Sequence, residues 1–480
     1  MGSWSSLLTD HSALVGWAGK AKPVLGLMPA TDQCMFAVMG KTLLDHATGY
    51  RTEAPYPIRF HRELNPRRMV LALAAQGLSA PSCDQPYTYM ELGFGQGVSL
   101  VMLAAANPHA QFYGVDLMPE HVAHARGLAE AAGLSNLHVR QLTFAELEQH
   151  DWPVFDFIVA HGVWSWVAAP VRDNIRRFID ARLKPRGLLY LSYNTRSGWA
   201  SMEPIRAIMK RVFDETSGAL EERVTAAMAR VHGIENAKGL FFRANPTVPV
   251  RLKQMESEGA AYLAHEFLNA EWKIYDFADV ADDWGSLGLV FAASANLQDN
   301  AVGLTIRDEA RALYNAAGSI SERETLKDYL LNKQFRRDIF VRDPVVLDEG
   351  GQREIQLQTR FMALMSVAQL LEAKLTTEIM TVTFTTPLHQ ALVGALAIGP
   401  QTIGQLQADP TLTSLNTNAA FGTLFLLCAM KALAPAAPDV LADAAVETTE
   451  RLNAEIARRV GTPGAIPARA LALIGGGIAA

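Results

Sequence analysis

The stretch Met90–Leu100, MELGFGQGVSL, decides the fold. Gly93, Gly95 and Gly97 stand at alternate positions, behind an apolar stretch that contains Glu91 and ahead of a second apolar run. Glycine adopts backbone angles that other residues avoid, and it lets a ligand approach the main chain closely. The stretch therefore predicts a strand, a bare turn and a helix, with a ligand lying over the turn.

Short strand-like runs alternate with helix-like runs around this turn. The strand-like runs are YTYMEL, QFYGVDL, LHVRQLTF, FDFIVAHG and GLLYLSYN. The runs between them, GVSLVMLAAAN, PEHVAHARGLAEAAG, FAELEQH and VAAPVRDNIRRFIDARLKP, have the pattern of helices. This alternation predicts an α/β fold, a parallel sheet covered by helices on both faces, with ligands bound beyond the carboxyl ends of the strands.

Length and composition set the limits on function. A chain of 480 residues, 49% of them hydrophobic, predicts two or three globular units. Its formal charge of −6 gives no general attraction to nucleic acid or to anionic lipid. Cys34, Cys83 and Cys428 lie far apart, which argues against disulfides or a thiolate zinc site and favours the cytoplasm. We expect neither a signal peptide nor stable insertion into a membrane.

The spacing of the glycines and two acidic residues indicate the kind of ligand. A dinucleotide site needs the spacing G-x-G-x-x-G, whereas Val98 stands where its last glycine would be. The carboxylate of Glu91 would repel a pyrophosphate but would attract a cation. Asp116 follows the glycines by about twenty residues, where a carboxylate can accept hydrogen bonds from ribose hydroxyls. A nucleoside with a cationic tail is S-adenosylmethionine.

ELGFGQG, GVDL and LKPRG occur in that order and resemble the motifs of class I S-adenosylmethionine-dependent methyltransferases. The resemblance implies a Rossmann-like seven-stranded sheet, with S-adenosyl-L-methionine as cofactor and S-adenosyl-L-homocysteine as product. It also places Phe94 in the cofactor turn and Leu117 and Phe144 against the adenine. Thr143 stands where many relatives carry an acid that bonds the adenine amino group.

A further resemblance covers most of the chain from about residue 49. GYRTEAPYPIRFHRELNP, AHGVWSWV, LSYNTRSGW, YLAHEFLNAEWKIYDFADVA and LKDYLLNKQFRRDIFVR resemble bacterial methyltransferases that carry a methyltransferase regulatory domain. That group includes protein lysine methyltransferases that act on rickettsial outer-membrane proteins. The resemblance implies a methyltransferase whose acceptor is a protein lysine amine.

Polar and aromatic residues after the fourth and fifth strands are the candidates for the acceptor site. Methyl transfer needs a positioned nucleophile with a free lone pair and no metal, and apolar walls would lower the pKa of a lysine amine. Because both segments follow strand carboxyl ends, we expect them to face the ligand. The candidates are His161, Trp164, Trp166, Tyr193, Asn194 and Trp199.

Each candidate has an alternative role. His161 is either a proton acceptor or a residue that closes the cofactor pocket, and Trp164 and Trp166 either bind the acceptor or pack between the sheet and a neighbouring domain. Tyr193 and Asn194 are the preferred catalytic pair, because a polar pair directly after an apolar strand has little reason to pack there. His265 precedes Glu266, but Asn269 stands where a metal-binding H-E-x-x-H motif needs its second histidine. We therefore predict no metal site, and assign His265 to acceptor binding or to a solvated pair.

The chain divides into four segments. Residues 1–45 are an extension, and residues 46–300 form the methyltransferase domain with a helical insertion at about 200–270. Residues 302–385 form a mostly helical regulatory domain, in which the basic residues Lys333, Arg336, Arg337 and Arg342 are expected to pair with acids. Residues 386–480 combine three short helices in a winged-helix arrangement with a tail. Since Lys431 is nearly the only base among these three helices, we expect packing, protein recognition or homodimer formation and no binding of nucleic acid.

Three functions are compatible with the sequence. The first is methylation of a protein side chain, most specifically a lysine amine. The second is methylation of a small molecule or of a cell-surface sugar. The third is a non-catalytic protein that binds S-adenosylmethionine as a scaffold. The two extra domains favour a large acceptor, because a small one needs only a lid.

Overall fold

A seven-stranded sheet forms the centre of the molecule in the computed structural model, which describes residues 56–377, 379–410, 412 and 415–479. The strands are β1 Thr88–Leu92, β2 Gln111–Asp116, β3 Leu137–Gln141, β4 Phe155–Ala160, β5 Leu183–Asn194, β6 Leu289–Ser294 and β7 Phe335–Arg342. Their order is β3-β2-β1-β4-β5-β7-β6, and β7 runs antiparallel to both its neighbours. The Rossmann-like sheet expected from the sequence is confirmed, while the predicted extension, residues 1–45, lies outside the described residues.

Helices cover both faces of this sheet. The first four are α1 Pro66–Ala74, α2 Val98–Ala106, α3 Pro119–Ala132 and α4 Ala169–Arg182. Asn65 caps α1 by accepting a hydrogen bond from the Arg67 amide, and Pro66 occupies the first helical position, where its missing N–H costs nothing. Every residue of α2 is buried, because this helix is apolar all round. Short 3-10 helices span Arg62–Leu64, Phe144–Gln149, Ala200–Met202, Leu297–Asn300 and Ala472–Ile474.

Six helices follow β5, where the sequence predicts a helical insertion. They are α5 Arg196–Trp199, α6 Glu203–Glu215, α7 Leu220–Asn236, α8 Leu240–Ala244, α9 Thr247–Glu256 and α10 Ala260–Glu266. Their apolar faces form a core of their own, which extends from Met202 to Leu268. The insertion is therefore a separately packed layer and not an extended loop.

The predicted end of the methyltransferase domain near residue 300 is wrong. The helices that follow are α11 Phe277–Gly285, α12 Val302–Thr305, α13 Asp308–Ala316 and α14 Ile320–Leu330. Strand β7 comes after them, from a segment that the sequence assigns to a helical regulatory domain, and it lies between β5 and β6. Arg336 and Asp338 are buried on this strand. Because charged residues usually lie at the surface, the composition of this segment favours an exposed helix over a central strand.

Those charges form a buried network behind β5. The Arg336 guanidinium donates hydrogen bonds to the carboxylates of Glu324, Asp328 and Asp338. Lys327 adds a second cation beside Glu324. Lys333, Arg337 and Arg342 also pair with acids, which agrees with the pairing expected for the basic cluster. Removing one member of such a network leaves an uncompensated buried charge, at a cost of about 3–5 kcal/mol.

The remaining chain is mixed helix and strand. Its helices are α15 Glu349–Gln358, α16 Val367–Leu371, α17 Pro387–Leu396, α18 Ile403–Ala408, α19 Thr417–Ala429, α20 Asp439–Ala444 and α21 Val446–Arg458. Its strands are β8 Arg360–Ala363, β9 Lys374–Thr376, β10 Thr381–Thr383, β11 Gln401–Thr402, β12 Leu433–Pro435, β13 Ala468–Leu471 and β14 Gly476–Ala479. Helices α17, α18 and α19 lie beside the short sheet β11-β8-β12. The winged-helix arrangement of this region stays a prediction.

The C-terminal segment, residues 446–479, packs on the methyltransferase sheet's helices and not within a separate terminal domain. Helix α21 contacts α2 and α3, and the hairpin β13-β14 covers α2. A Cβ on Gly477 would lie 2.5 Å from the sulfur of Met102, so β14 packs closely against α2 at this glycine. The segment therefore completes the burial of α2, the helix that begins at the glycine turn. Among the described residues, no helix combines the length and the apolar character that crossing a bilayer requires.

Candidate functional site

The turn between β1 and α2 forms the floor of a cavity of about 420 Å³. Gly93, Gly95 and Gly97 all have positive φ angles, of 73°, 56° and 72°. A Cβ on Gly97 would lie 2.6 Å from the Cβ of Ala125 in α3, so the turn is pressed against that helix. The bare main chain faces the cavity, which leaves room for a ligand to contact backbone amides.

Asp116, at the end of β2, holds the loops around this turn. One carboxylate oxygen accepts from the Gly95 amide at 2.8 Å. The other accepts from the Met118 amide and lies 2.9 Å from Nδ1 of His121. Asp116 lines the cavity while making these bonds. Its carboxylate is thus fixed in orientation before any ligand arrives.

Glu91 is a buried carboxyl group with an unpartnered oxygen. The residue is 3% exposed, and its Oε2 has no hydrogen-bond partner, although it lines the cavity beneath the turn. Burial, together with the charge of Asp116, raises the pKa of Glu91 to about 8. A buried carboxylate without a counter-ion is costly, so this arrangement fits a ligand that brings a positive charge.

One end of the cavity is apolar and narrow. It is lined by Leu117 after β2 and by Leu142, Thr143 and Phe144 after β3. The Thr143 hydroxyl and amide both donate to Glu146 at 2.8 Å, in a capping box that starts the 3-10 helix. The Thr143 side chain is therefore engaged locally. Together, the apolar lining at this end and the buried carboxyl group of Glu91 fit a purine nucleoside with a cationic tail.

Two histidines lie at the opposite end, which we name the acceptor end. The rings of His61 and His161 are 3.9 Å apart between centroids, and both line the cavity. Nδ1 of His161 lies 2.8 Å from the hydroxyl of Tyr190 in β5. Burial and the neighbouring His61 hold the pKa of His161 well below its usual value, and burial lowers the pKa of His61 too. Both rings are neutral at pH 7 and can accept a proton.

Glu63 lies beside these histidines, although it does not line the cavity. Its carboxylate lies 2.6 Å from Nε of Arg337. Burial by itself would raise the pKa of Glu63, but its surroundings, with the charge of Arg337 first among them, outweigh burial and lower it. Glu63, His61 and His161 have the composition of a metal site, with ligand atoms within 4.8 Å of one another. The contacts of Glu63 with Arg337 and of His161 with Tyr190 already engage two of these three residues.

Residues 56–61, which we name the strap, run across the top of the cavity. The Tyr56 amide donates to Nε2 of His121, and the Gln96 side chain donates to the Tyr56 carbonyl. The His61 amide donates to the Ser99 hydroxyl in α2. These bonds attach the strap to the glycine turn and to the helices beside it.

The strap is also attached to the helical insertion. The Tyr56 hydroxyl donates to Glu266 at 2.7 Å, and the Arg59 guanidinium pairs with Glu258 and lies over the ring of Tyr262. Burial raises the pKa of Glu266 to about 7, although the bond from Tyr56 lowers it. The cavity is therefore enclosed between the sheet below and a strap tied to the insertion above.

Most of the cofactor candidates predicted from the sequence line this cavity. The residues that do so are Glu91, Gly93, Phe94, Gly95, Asp116, Leu117, Thr143 and Phe144, with His161 at the acceptor end. Gly97 does not line it but caps the N-terminus of α2. The turn motif and the position of Asp116 thus carried enough information to locate one half of the site.

Tyr193 and Asn194, the preferred catalytic pair, do not line the cavity. Tyr193 is fully buried, and its hydroxyl donates to Asp338 at 2.6 Å on the side of the buried charge network. Asn194 uses its amide and carbonyl to bond Ser165 and Tyr275. Neighbours along a strand point to opposite faces, so Tyr193 points away from the face of β5 on which Tyr190 and Ser192 contact His161.

The remaining acceptor candidates are packed away from the cavity. The ring of Trp164 lies 5.1 Å from that of Trp284, tilted by 41°, and the Trp166 indole donates to the Glu266 carbonyl. Trp199 packs against Phe267 and Trp272 in the core of the insertion. His265 is buried, with its ring 5.6 Å from that of Tyr56.

The sequence reasoning missed several residues of the site. His61 and Tyr56 belong to a strap without periodicity, and His121 and Gln96 act through bonds to that strap. The phrase GYRTEAPYPIRFHRELNP, which carries part of the family resemblance, contains the strap. The family resemblance of that phrase could have indicated these residues, but only the tertiary contacts show that they lie at the cavity.

Comparisons with known proteins agree with this geometry. The chain matches the model of a methyltransferase domain over residues 84–239 and that of a predicted methyltransferase regulatory domain over residues 259–342. An uncharacterised Synechocystis protein is 32% identical over 408 residues, which are 85% of this chain and 80% of that protein. An uncharacterised protein of Rickettsia prowazekii is 25% identical over 304 residues, 62% of this chain and 53% of that protein.

A solved structure has the same fold. PKMT2 of Rickettsia typhi in complex with AdoHcy superposes with a TM-score of 0.61 and 19% identity, covering 79% of this chain and 77% of that one. At this identity the likeness establishes the fold alone. The regulatory-domain match ends at residue 342, where β7 ends, so that match includes two strands of the central sheet.

Proposed function

Because the chain belongs to the class I S-adenosylmethionine-dependent methyltransferases that carry a methyltransferase regulatory domain, we propose that it methylates a lysine amine of a protein. S-adenosylmethionine supplies a methyl group on a positively charged sulfur, which a lone pair can attack in line. The enzyme's task is to hold both reactants and to give the amine a free lone pair. The residues of the cavity divide between these two tasks.

We assign the cofactor to the side of the glycine turn. The Gly93–Gly97 backbone would cradle it, and the Glu91 carboxylate would face its positive charge. Asp116, already oriented by the Gly95 amide, would accept from the ribose hydroxyls. Leu117 and Phe144 would cover the adenine. These assignments rest on the placement of the residues around one cavity.

The observation that carries the lysine proposal is the pair of neutral imidazoles at the acceptor end, with the Glu63 carboxylate beside them. A lysine amine arrives protonated, since its reference pKa is about 10.4. A carboxylate attracts that cation, and burial among apolar walls lowers the pKa of the amine, so that its proton can pass to a neutral imidazole. In the tautomer whose Nδ1–H donates to the Tyr190 hydroxyl, His161 presents the Nε2 lone pair as the base.

A protein acceptor is favoured by what surrounds this end of the cavity. The strap joins the sheet to the helical insertion, so the cavity lies where two layers of the molecule meet. The resemblance to a group that includes protein lysine methyltransferases points the same way. A small acceptor would need only the strap as a lid.

The test uses labelled S-adenosylmethionine and a bacterial lysate. Half of the lysate is acetylated beforehand, which blocks lysine amines. After the reaction, fractionation separates proteins from polysaccharides and small molecules, so that the label can be assigned to one of these classes. We expect label in the protein fraction of the untreated lysate only, and methylated lysine after acid hydrolysis. A lysate incubated with labelled S-adenosylmethionine but without the protein serves as the blank.

The other outcomes contradict specific parts of the proposal. Label in the small-molecule or polysaccharide fraction would replace the lysine acceptor and keep the methyltransferase. Label in protein that persists after acetylation would move the acceptor to another side chain. Cofactor binding without label in any fraction would favour a scaffold protein.

A further inference from the structure

Two histidines one turn apart on α3 connect the cofactor cavity to the rest of the molecule. His121 joins Asp116 to the strap, as described above. His124, on the next turn, lies with Nδ1 2.7 Å from the Gln96 carbonyl in the glycine turn. Its Nε2 lies 2.7 Å from Nη1 of Arg459, at the end of α21. The glycine turn is thus bonded, through one imidazole, to the C-terminal segment.

The positions of the protons on the His124 ring follow from its two hydrogen-bond partners. The Gln96 carbonyl can only accept, so Nδ1 of His124 carries the proton and donates. The guanidinium can only donate, so Nε2 offers its lone pair to Arg459. Arg459 is itself oriented by Glu455, whose carboxylate accepts from Nε at 2.8 Å. Glu455, Arg459, His124 and Gln96 form one continuous chain from α21 to the turn.

The Gln96 carbonyl is a sensitive point of the turn. It lies between Gly95 and Gly97, which offer little resistance to rotation of the peptide planes. The turn is held by bonds from the Gly93 and Phe94 amides to the Val115 carbonyl and from the Gly95 amide to Asp116. The bond from His124 adds a restraint on the Gln96 carbonyl. Its loss would leave the peptide between Gln96 and Gly97 less firmly oriented, with the bond from the Gly97 amide to the Phe94 carbonyl as the remaining restraint.

We propose that Arg459 is a positioning residue for the cofactor, which acts through His124 on the glycine turn, so that residues 446–479 are part of the cofactor site. The packing of this segment supports the assignment. Asn65 and Asn107 donate side-chain bonds to the carbonyls of Ile474 and Gly475, and Thr448 donates to the Ala105 carbonyl. Helix α21 is thereby held in register with α2 and α3. The inference concerns the cofactor and does not depend on the nature of the acceptor.

The test compares two adjacent arginines in the full-length protein. Arg459→Ala removes the bond to His124, whereas Arg458→Ala removes an exposed arginine that pairs only locally, with Glu455. We expect Arg459→Ala to weaken binding of S-adenosylhomocysteine, measured by calorimetry, by about tenfold, the size of one charge-assisted hydrogen bond. Arg458→Ala should bind like the wild type, and Arg459→Lys, which keeps a cationic donor, should restore most of the affinity.

A second readout distinguishes positioning from general stability. Hydrogen exchange of the amides at residues 95–97 should become faster in ligand-free Arg459→Ala, while the amides of β4 and β5 keep their wild-type rates. Equal affinities of Arg459→Ala and Arg458→Ala would overturn the proposal, as would equally faster exchange throughout the sheet. If Arg459→Ala does not fold, His124→Ala breaks the same link from the other side, and unchanged affinity in that variant overturns the proposal.

Discussion

The two ends of the cavity are built in different ways. The cofactor end comes from three turns that follow consecutive strands, within residues 91–145, and each turn bonds to its neighbour. The acceptor end combines the strap, the residues after β4 and the charge of Arg337 on β7, which are far apart in the chain. The first end is a property of a local motif. The second exists only when the strap, the insertion and β7 are in place.

This difference predicts that the two ends can be disabled separately. A change at the acceptor end should lower turnover without changing cofactor affinity, and a change at the cofactor end should do the reverse. The predictions below test that separation, beginning with the largest expected effect. A substitution that changes both turnover and cofactor affinity would show that its residue contributes to both ends of the cavity.

His161→Ala should have the largest effect. Loss of a positioned proton acceptor lowers a rate by about 10²–10⁴, so we expect label to enter lysate protein at least about a hundredfold more slowly. The affinity for S-adenosylhomocysteine should match that of the wild type, by calorimetry. His138→Ala, at an exposed histidine on β3, is the control. A wild-type rate would remove His161 from the proton path, and weaker binding would place it at the cofactor end.

Asp116→Ala should weaken cofactor binding by about ten- to a hundredfold, the effect of losing about 1.5–3 kcal/mol of charged hydrogen bonds. The Gly95 amide and His121 also lose their partner, so the strap should loosen. Calorimetry with S-adenosylhomocysteine measures the first effect. Asp151→Ala, at an exposed position nearby, is the control. Unchanged affinity in Asp116→Ala would exclude the carboxylate from the cofactor site.

The pH dependence of cofactor binding should report Glu91. Its pKa of about 8 means that the carboxyl is mostly protonated at pH 7 in the free protein. A cationic ligand favours the ionised form, so affinity should rise roughly tenfold between pH 7 and pH 9 and then level off. In Glu91→Gln the affinity should be lower and this rise should be absent. A rise of equal size in Glu91→Gln would assign the titration to another group.

The same raised pKa has a consequence for stability. The unfolded protein loses the Glu91 proton near its ordinary pKa, whereas the folded, ligand-free protein keeps it up to about pH 8. The folded state therefore binds more protons between these values, and its free energy of unfolding should decrease as pH rises through this window. Denaturant titrations of the wild type and Glu91→Gln at pH 5 and pH 8 measure the difference.

Two tyrosines of β5 give the smallest predicted effect on turnover. Tyr190→Phe removes the partner of His161, and we expect turnover to fall about fivefold, the size of one hydrogen bond. Tyr193→Phe removes the partner of buried Asp338 and should cost about 1–3 kcal/mol of stability, with little effect on turnover. Denaturant titration and the labelling rate separate the two. The opposite result would mean that Tyr193 and not Tyr190 serves the acceptor end.

The sequence could locate the cofactor end because its signals are local. The glycines, the apolar strand before them and Asp116 at its distance are all consequences of one strand-turn-helix unit repeated in a parallel sheet. The sequence could not show which side chains of β5 point to which face of the sheet, because the strand is buried on both faces and its burial does not alternate along the chain. Tyr193 was therefore chosen, whereas it is Tyr190 that contacts His161. Likewise, β7 carries paired charges, and only its partners reveal it as a central strand.

The sequence by itself determined the fold class, the cofactor and the position of the turn that faces it, since the glycine turn and the alternation of strands and helices around it are short-range patterns. The tertiary structure alone decided which residues meet at the acceptor end and that the C-terminal segment reaches the glycine turn. His124 and Arg459 are separated by 335 positions. No local pattern encodes such a pair, because their contact arises from the packing of α21 against α3.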